Sequence, residues 1–367
     1  MLPVAEQPKY LMVADTLRRE IADEVFRDGQ TLMTEEELRM RFGVSRQTVR
    51  QAIALLEEDG LVDRRRGSGT YVRHGPRRRQ GTLRIGVVTT YITDYIFPSI
   101  VSGIESVLNR QGAVMSLSAT YNDRRIERNL LERMIGGQVD GLIVEGSRTA
   151  SDTPNEDCYR RLAERNIPVI FMNSFYPGLR SIPHVVMDDY GGGQTAAREV
   201  LKRGYKNPGA MFKMDDMQGE ERCRGFLDEM KRQGMDVPEE NLLLFGTENR
   251  MDLLKTGAGK RFAERLIQEH DIDCMVCYND IFAVSLMDIL MRGGLKLPED
   301  MGFIGFDDAT YAAMVRPGLT TLGHPKESFG ALVAEKLLRM IDGEKEKSVR
   351  MDWKLVERDS LPEVSGK

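Results

Sequence analysis

Arg46, Gln47 and Arg50 stand close together at the start of a predicted helix, directly after the turn Phe42-Gly43-Val44-Ser45. Arginine forks onto O6 and N7 of guanine, and glutamine pairs with N6 and N7 of adenine, so this spacing suits reading of base edges in a major groove. Thr48, in the same turn, counts among the candidates, and the helix start offers free backbone N–H groups to a phosphate. A second set of residues follows the ends of successive apolar runs: Tyr91, Asp94, Tyr95 and Phe97 after the first, Glu145 after the third and Asn173 after the fourth. Asp189, Lys213 and Asp215, Asn279 and Asp280, Asp307 and Asp308, and finally His324 continue the series. Carboxylates and amides accept paired hydroxyls, and flat rings cover C–H faces, so this lining suits a neutral polyol.

The elements that must hold the first set are short. Residues 10–27 place Leu11, Val13, Ala14, Leu17, Ile21, Ala22 and Val25 at helical spacing, and Asp28-Gly29 reads as the stop. Thr34 and Glu37 form a capping box for a second helix, which Gly43 ends. Ser45 caps a third, with Val49, Ala52, Ile53, Leu55 and Leu56 as its apolar face. Residues 61–66 and 70–73 then read as two strands joined by Gly67-Ser68-Gly69, an arginine-lined ribbon able to reach a minor groove.

Charge separates the two parts. The chain of 367 residues carries 52 basic and 57 acidic groups, but residues 39–79 hold 11 arginines against four acids. On an otherwise acidic protein that stretch reads as a polyanion-binding face; the bland alternative is a solvated basic surface. Residues 74–82, with Gly, Pro and three successive arginines, read as a linker, either a passive tether or an extra phosphate contact. The composition, 41% apolar and 30% charged, excludes a wholly disordered chain. No run is long and apolar enough for a membrane span, the first residues lack a signal-peptide core, and four cysteines make no disulfide framework, so a cytoplasmic location is expected.

The remainder alternates strand and helix. Apolar runs at 84–90, 114–119, 141–145, 169–173, 185–188, 209–212, 242–245, 274–278, 303–306 and 320–322 predict strands. Amphipathic stretches at 98–110, 126–135, 190–202, 220–232, 252–269, 280–291 and 326–340 predict helices. Continuous apolar runs are the mark of parallel strands buried on both faces. The fold class expected is therefore α/β: a winged helix-turn-helix followed by two lobes of doubly wound parallel sheet, with the ligand beyond the strands' carboxyl ends.

Residues 8–74 resemble the GntR family of winged-helix DNA-binding domains. The resemblance rests on Glu35-x-x-Leu38, the run from Phe42 to Arg50, Ala52-x-x-x-Leu56, and Gly60-Leu61-x-x-x-x-Arg66-Gly67-x-Gly69-Thr70-Tyr71-Val72. It implies operator contacts from Glu35, Arg46 and Arg50, a wing tip at Arg66 and Gly67, and a phosphate near Lys9. Residues 84–360 resemble the LacI/GalR-type effector domain and its periplasmic sugar-binding relatives. Ile85-Gly86-Val87-Val88, Val139-Asp140-Gly141-Leu142-Ile143-Val144, Arg222-Cys223-Arg224-Gly225-Phe226, Tyr278-Asn279-Asp280 and Ile304-Gly305-Phe306-Asp307-Asp308 carry that likeness. It implies ligand contacts from Asn173, Arg222, Asn279, Asp307 and His324, the last standing where the family often has glutamine. The pairing of the two parts looks like the arabinose-responsive repressors of Gram-positive bacteria, though an arginine-rich linker replaces the usual hinge helix. It implies operator DNA and L-arabinose or a related pentose as partners, a homodimer, no cofactor, no metal and no enzymatic activity.

The expected boundaries are 1–75 for the DNA-binding domain, 76–83 for the linker and 84–367 for the effector and dimerisation domain. Cys274-Met275-Val276-Cys277 has CxxC spacing but lies within a predicted buried strand without nearby histidine, so core cysteines are expected. Gly191-Gly192-Gly193 lacks the order of a phosphate loop and reads as tight packing or lobe flexibility. Two rival functions stand beside the repressor. One is a GntR-type regulator with another effector or a catalytic half that binds pyridoxal phosphate, for which Lys213 is the obvious lysine. The other is an architectural DNA-binder whose large domain only dimerises.

Overall fold

The computed structural model describes residues 8–364 other than 24, 28, 66, 67, 73–81, 95, 138 and 151. The chain divides into two compact units, residues 1–81 with 341–344 and residues 82–340 with 345–367. Arg66, Gly67 and Tyr95, and nearly all of the expected linker, lie outside the described residues.

The N-terminal unit contains α1 (Lys9–Ala22), α2 (Glu35–Phe42), α3 (Arg46–Glu58) and the hairpin of β1 (Val62–Arg65) and β2 (Gly69–Val72). Its starts and stops are the local signals of the sequence. Thr34 accepts from the Glu37 amide at 3.2 Å while its own amide donates to the Glu37 carboxylate at 2.7 Å. Gly43 leaves α2 at φ 61°, where a side chain would be strained, and Ser45 accepts from the Thr48 amide to open α3. Leu17, Leu38, Val49, Ile53, Leu56, Val62 and Val72 close the core. One expectation fails here: α1 ends at Ala22 rather than Arg27. Helical spacing assigned Val25 to the buried stripe, but Val25 is 61% exposed and the larger Phe26 packs into the core instead. Burying Phe26 in place of Val25 requires leaving the helix.

The second unit has two lobes, each built on a six-stranded sheet. In the first lobe β3 (Arg84–Thr89), β4 (Val114–Ala119), β5 (Gly141–Val144), β6 (Val169–Met172) and β7 (His184–Met187) are parallel. Around them stand α4 (Phe97–Arg110), α5 (Arg124–Gly136) and α6 (Glu156–Glu164). In the second lobe β8 (Pro208–Lys213), β9 (Leu242–Phe245), β10 (Cys274–Cys277), β11 (Gly302–Asp307) and β12 (Thr320–Gly323) are parallel. Its helices are α7 (Asp189–Lys202), α8 (Met217–Arg232), α9 (Gly257–Glu269) and α10 (Asp280–Arg292). After β12 the chain returns to the first lobe as α11 (Lys326–Ile341) and β13 (Val349–Met351), then crosses again to β14 (Lys354–Val356). The sheet orders are β13-β7-β6-β5-β3-β4 and β14-β12-β11-β10-β8-β9.

All ten expected strands are present in a doubly wound, two-lobed arrangement. Three elements were not expected. α6 buries only Cys158, Tyr159 and Leu162, too few apolar residues to show a stripe. β13 and β14 are three-residue edge strands with no fully buried position. The outer strands β4 and β9 also depart from continuous burial, leaving Val114 and Leu244 exposed, because an edge strand is covered less completely. Cys274 and Cys277 are buried in separate clusters, as an odd spacing in a strand requires, and no metal-ligating cluster occurs among the described residues.

The triple glycine is a packing device. A Cβ on Gly193 would run into the Arg222 carbonyl oxygen and lie 2.8 Å from the Phe226 nitrogen, where α7 crosses α8; one on Gly192 would stand 2.7 Å from the indole of Trp353. Gly193→Ala should therefore destabilise the protein by about 1–3 kcal/mol or more, as overpacking against fixed backbone does. Urea denaturation checks this.

Candidate functional site

Because β3–β7 in the first lobe and β8–β12 in the second run parallel, their carboxyl ends lie together, and the residues just beyond them meet in one cavity between the lobes. The first lobe delivers Thr90 after β3, Glu145 after β5 and Asn173 after β6; the second delivers Lys213, Tyr278, Asn279, Asp307 and His324. Asp189, on the first crossing between lobes, and Trp353, on the third, complete the wall with Tyr91, Asp94, Phe97, Asp216, Gln218, Arg222 and Arg250. Asn173 and Asp307 hold left-handed backbone, at φ 59° and 98°, which turns each side chain at the end of its strand.

Arg222 is the most constrained group. Its Nε donates to Asp189 at 2.8 Å and its Nη1 to the Tyr278 carbonyl at 2.7 Å, with Asp307 at 3.8 Å. The guanidinium lies 4.5 Å from the Phe306 ring centre and 4.8 Å from that of Trp353. Burial works against its charge, but the two carboxylates outweigh burial and raise its pKa. Burial also pushes the Asp189 carboxyl up to about 6, despite Arg222 beside it.

Glu145 accepts from the Thr90 amide at 2.8 Å, the Thr90 hydroxyl at 2.5 Å and the Asn173 amide at 3.0 Å. Burial outweighs these donors and lifts its pKa to about 7. Burial drives His324 down to about 4, so its ring is neutral. Lys213, 2% exposed, is clasped by Asp215 at 2.6 Å and by Asp216. Arg250 pairs with Asp94 and covers the Tyr91 ring at 4.1 Å. Among the described residues, each of the three cations lining the cavity thus already has a carboxylate, while three polar atoms of the same wall, His324 Nδ1, Trp353 Nε1 and Gln218 Oε1, have no hydrogen-bond partner.

The structure brings Tyr91, Phe97, Glu145, Asn173, Arg222, Asn279, Asp307 and His324 together in this wall. It does not bring Asp280 there. That carboxylate accepts from the Thr321 hydroxyl at 2.6 Å and the Ala309 amide at 2.7 Å behind the wall, since the first residue of α10 points back into the sheet. Sequence reasoning missed Trp353, Arg250, Tyr278, Asp216 and Gln218. Trp353 carried one signal, as the only tryptophan of the chain.

In the N-terminal unit Glu35, on α2, ties together two arginines of α3. It accepts from Arg46 Nε at 3.1 Å and from Arg50 Nε at 3.0 Å, leaving both guanidinium tips exposed. Burial pushes the Glu35 pKa up, but the two arginines hold it below the ordinary carboxylate range. Gln47 and Lys9 are exposed, whereas the Thr48 hydroxyl lies 2.8 Å from that of Ser45, within the cap of α3. Several arginines of the basic stretch are paired, Arg39 with Glu36 and Arg41 with Glu20, so the face is less positive than its composition.

Residues 9–72 match the family model of bacterial regulatory proteins of the gntR family, and residues 197–361 match that of a periplasmic binding protein-like domain. The chain is 37% identical to an arabinose metabolism transcriptional repressor of Geobacillus stearothermophilus, over 91% of this chain and 92% of that protein. It is 30% identical to a protein of the same name from Halalkalibacterium halodurans, over 98% of each. The second unit shares its fold with a periplasmic binding protein/LacI transcriptional regulator from Alkaliphilus metalliredigens, solved with D-xylulofuranose: TM-score 0.66, 23% identity, 76% of this chain and 99% of that one.

The state of Glu145 has a measurable consequence. The native protein holds this proton more tightly than an unfolded chain does, so its contribution to stability is present at low pH and is lost as pH rises from about 4.5 to about 7. Glu145→Gln should flatten that part of the stability–pH curve, by up to about 3 kcal/mol. Urea denaturation from pH 4 to 8 measures it.

Proposed function

The chain belongs to the family of arabinose metabolism transcriptional repressors and is a sugar-responsive repressor, and on that premise we propose that L-arabinose or a closely related pentose is its effector. The sugar sits between the lobes, and its binding releases operator DNA. The observation that carries this reading is the charge pattern of the cavity. Lys213, Arg222 and Arg250 are each matched by carboxylates, so an anionic ligand meets no uncommitted cation, while amides, a neutral imidazole and rings suit hydroxyls and C–H faces. Glu145, Asn173, Arg222, Asn279, Asp307 and His324 hold the hydroxyls; Tyr91 and Phe97 cover the ring. The pyridoxal phosphate alternative is disfavoured by Lys213, whose Nζ is clasped by two aspartates rather than left free for a Schiff base.

Residues 1–75 act as the DNA-binding head, 76–83 as linker and 84–367 as effector and dimerisation domain, working in the cytoplasm. Two chains pair, so two heads meet a pseudo-palindromic operator, with Arg46, Gln47 and Arg50 in the major groove and Glu35 aiming the arginines. A ligand shifts only an equilibrium between states that it binds differently, so sugar must favour a lobe arrangement that grips DNA poorly.

Fluorescence anisotropy with an operator selected from random duplexes tests this. L-arabinose should weaken operator binding about 5- to 150-fold, the range of ordinary allosteric coupling. A phosphorylated pentose should not compete, and operator affinity unmoved by every pentose would sink the reading. Arg50→Ala should cost about 1–3 kcal/mol on the selected operator and much less on random duplex; equal losses would make Arg50 a phosphate contact.

A further inference from the structure

Six of the eight non-glycine residues with left-handed backbone among the described residues stand around the cleft: Tyr121, Asn122, Arg148, Asn173, Asp307 and Asp308. Such positions persist only where the surroundings hold them. Asn173 and Asp307 line the cavity; Tyr121, Asn122 and Arg148 do not. These three lie on a lip of the first lobe, beyond β4 and β5, and the lip reaches across to the second lobe.

Asn122 is fully buried. Its Nδ2 donates to Asp216 at 2.9 Å and to the Thr247 hydroxyl at 2.7 Å, both on the second lobe, while its Oδ1 accepts from the Arg148 amide at 2.8 Å. Arg148 Nη1 meets Glu248 at 2.6 Å, and the Thr149 hydroxyl accepts from the Met217 amide at 3.1 Å, again across the lobes. The lip is anchored from beneath. Buried Glu127 accepts from the Ser147 amide at 2.8 Å and from the Tyr159 and Tyr176 hydroxyls at 2.9 and 2.7 Å. On the other side, Asp216 is both the acceptor for Asn122 and a clasp of Lys213 on the cavity wall. The inter-lobe bonds and the cavity therefore share a residue.

We propose that Asn122 and Arg148 are positioning residues that latch the lobes together and set how tightly the cleft holds its sugar, without touching it. The inference rests on the sugar reading above. Apparent affinity scales with the fraction of molecules in the arrangement that grips the ligand, so bonds that join the lobes directly strengthen binding from outside the cavity. Asp216, itself on the cavity wall, carries the link inward: a sugar against that wall steadies the segment that Asn122 grips, and an intact latch keeps that segment in place for the sugar.

Two variants test the latch in the full chain. Asn122→Gly keeps the left-handed backbone and removes only the side-chain bonds; Glu248→Gln weakens the exposed partner of Arg148, where misfolding is no concern. Calorimetry should show the dissociation constant for L-arabinose raised about tenfold or more by Asn122→Gly, as loss of bonds to a charged group implies. Glu248→Gln should raise it about two- to fivefold, as expected of an exposed pair, with an unchanged urea midpoint. The fluorescence of Trp353 should assign the loss to faster sugar release. Without sugar, hydrogen exchange at the Met217 and Arg148 amides should quicken in Asn122→Gly. Exchange equal to the wild type, or sugar affinity unchanged in Asn122→Gly when the wild type binds L-arabinose, overturns the latch. Quickened exchange in a protein whose wild type binds no pentose keeps the latch and removes the sugar reading instead.

Discussion

The second unit depends on keeping one guanidinium charged inside the protein. Arg222 is 5% exposed. A buried cation without compensation costs several kcal/mol, so its partners are not optional. They come from separate places in the chain: Asp189 from the first crossing between lobes, the Tyr278 carbonyl from the end of β10, Asp307 from the end of β11, and the covering indole from the third crossing. Satisfying Arg222 thereby fixes where the crossings run and where two strands end. The glycines of α7 follow from the same demand, since α8, which carries Arg222, and Trp353, which covers it, leave no room for side chains at Gly193 and Gly192.

That constraint also shapes the chemistry of the cavity. A cation already matched by carboxylates still directs N–H groups outward but has little attraction left for a phosphate. Neutral His324 reinforces this: at neutral pH it is one donor and one acceptor rather than a positive charge. The preference for a neutral sugar over its phosphate proposed above then rests on the pairing of charges within the protein.

How much of this was legible in the sequence follows from where each signal lives. Strand ends were legible because a parallel strand buried on both faces is an unbroken apolar run, and its end announces the residue that faces the cavity. Glu145, Asn173, Asp307 and His324 were found that way. Asp280 shows the limit of the rule, since the next residue along can turn back into the sheet. Trp353 was missed because it sits between two three-residue strands with no periodicity, and only its being the one tryptophan of the chain marked it out. Arg250 lies in a short 3₁₀ segment far in sequence from Asp94, which it meets only after folding. The end of α1 was misjudged because periodicity ranks positions by spacing and takes no account of how much each side chain gains by burial, which favoured Phe26 over Val25.

The reading head places a condition on regulation. Its core is its own, its helices begin and end on local caps, and Glu35, which orients Arg46 and Arg50, belongs to the same unit. Nothing in that arrangement requires a sugar for the reading face to form. A cleft that binds a sugar therefore has little to gain by distorting the head; on the pairing of two chains proposed above, what it can alter is the spacing and orientation of two heads on one operator. Half-sites a fixed number of base pairs apart tolerate little change in that spacing. A shift of the lobes too small to disturb either core is then enough to supply the roughly 1–3 kcal/mol that ordinary coupling requires. Regulation and recognition can be encoded in separate units because the geometry of the DNA joins them.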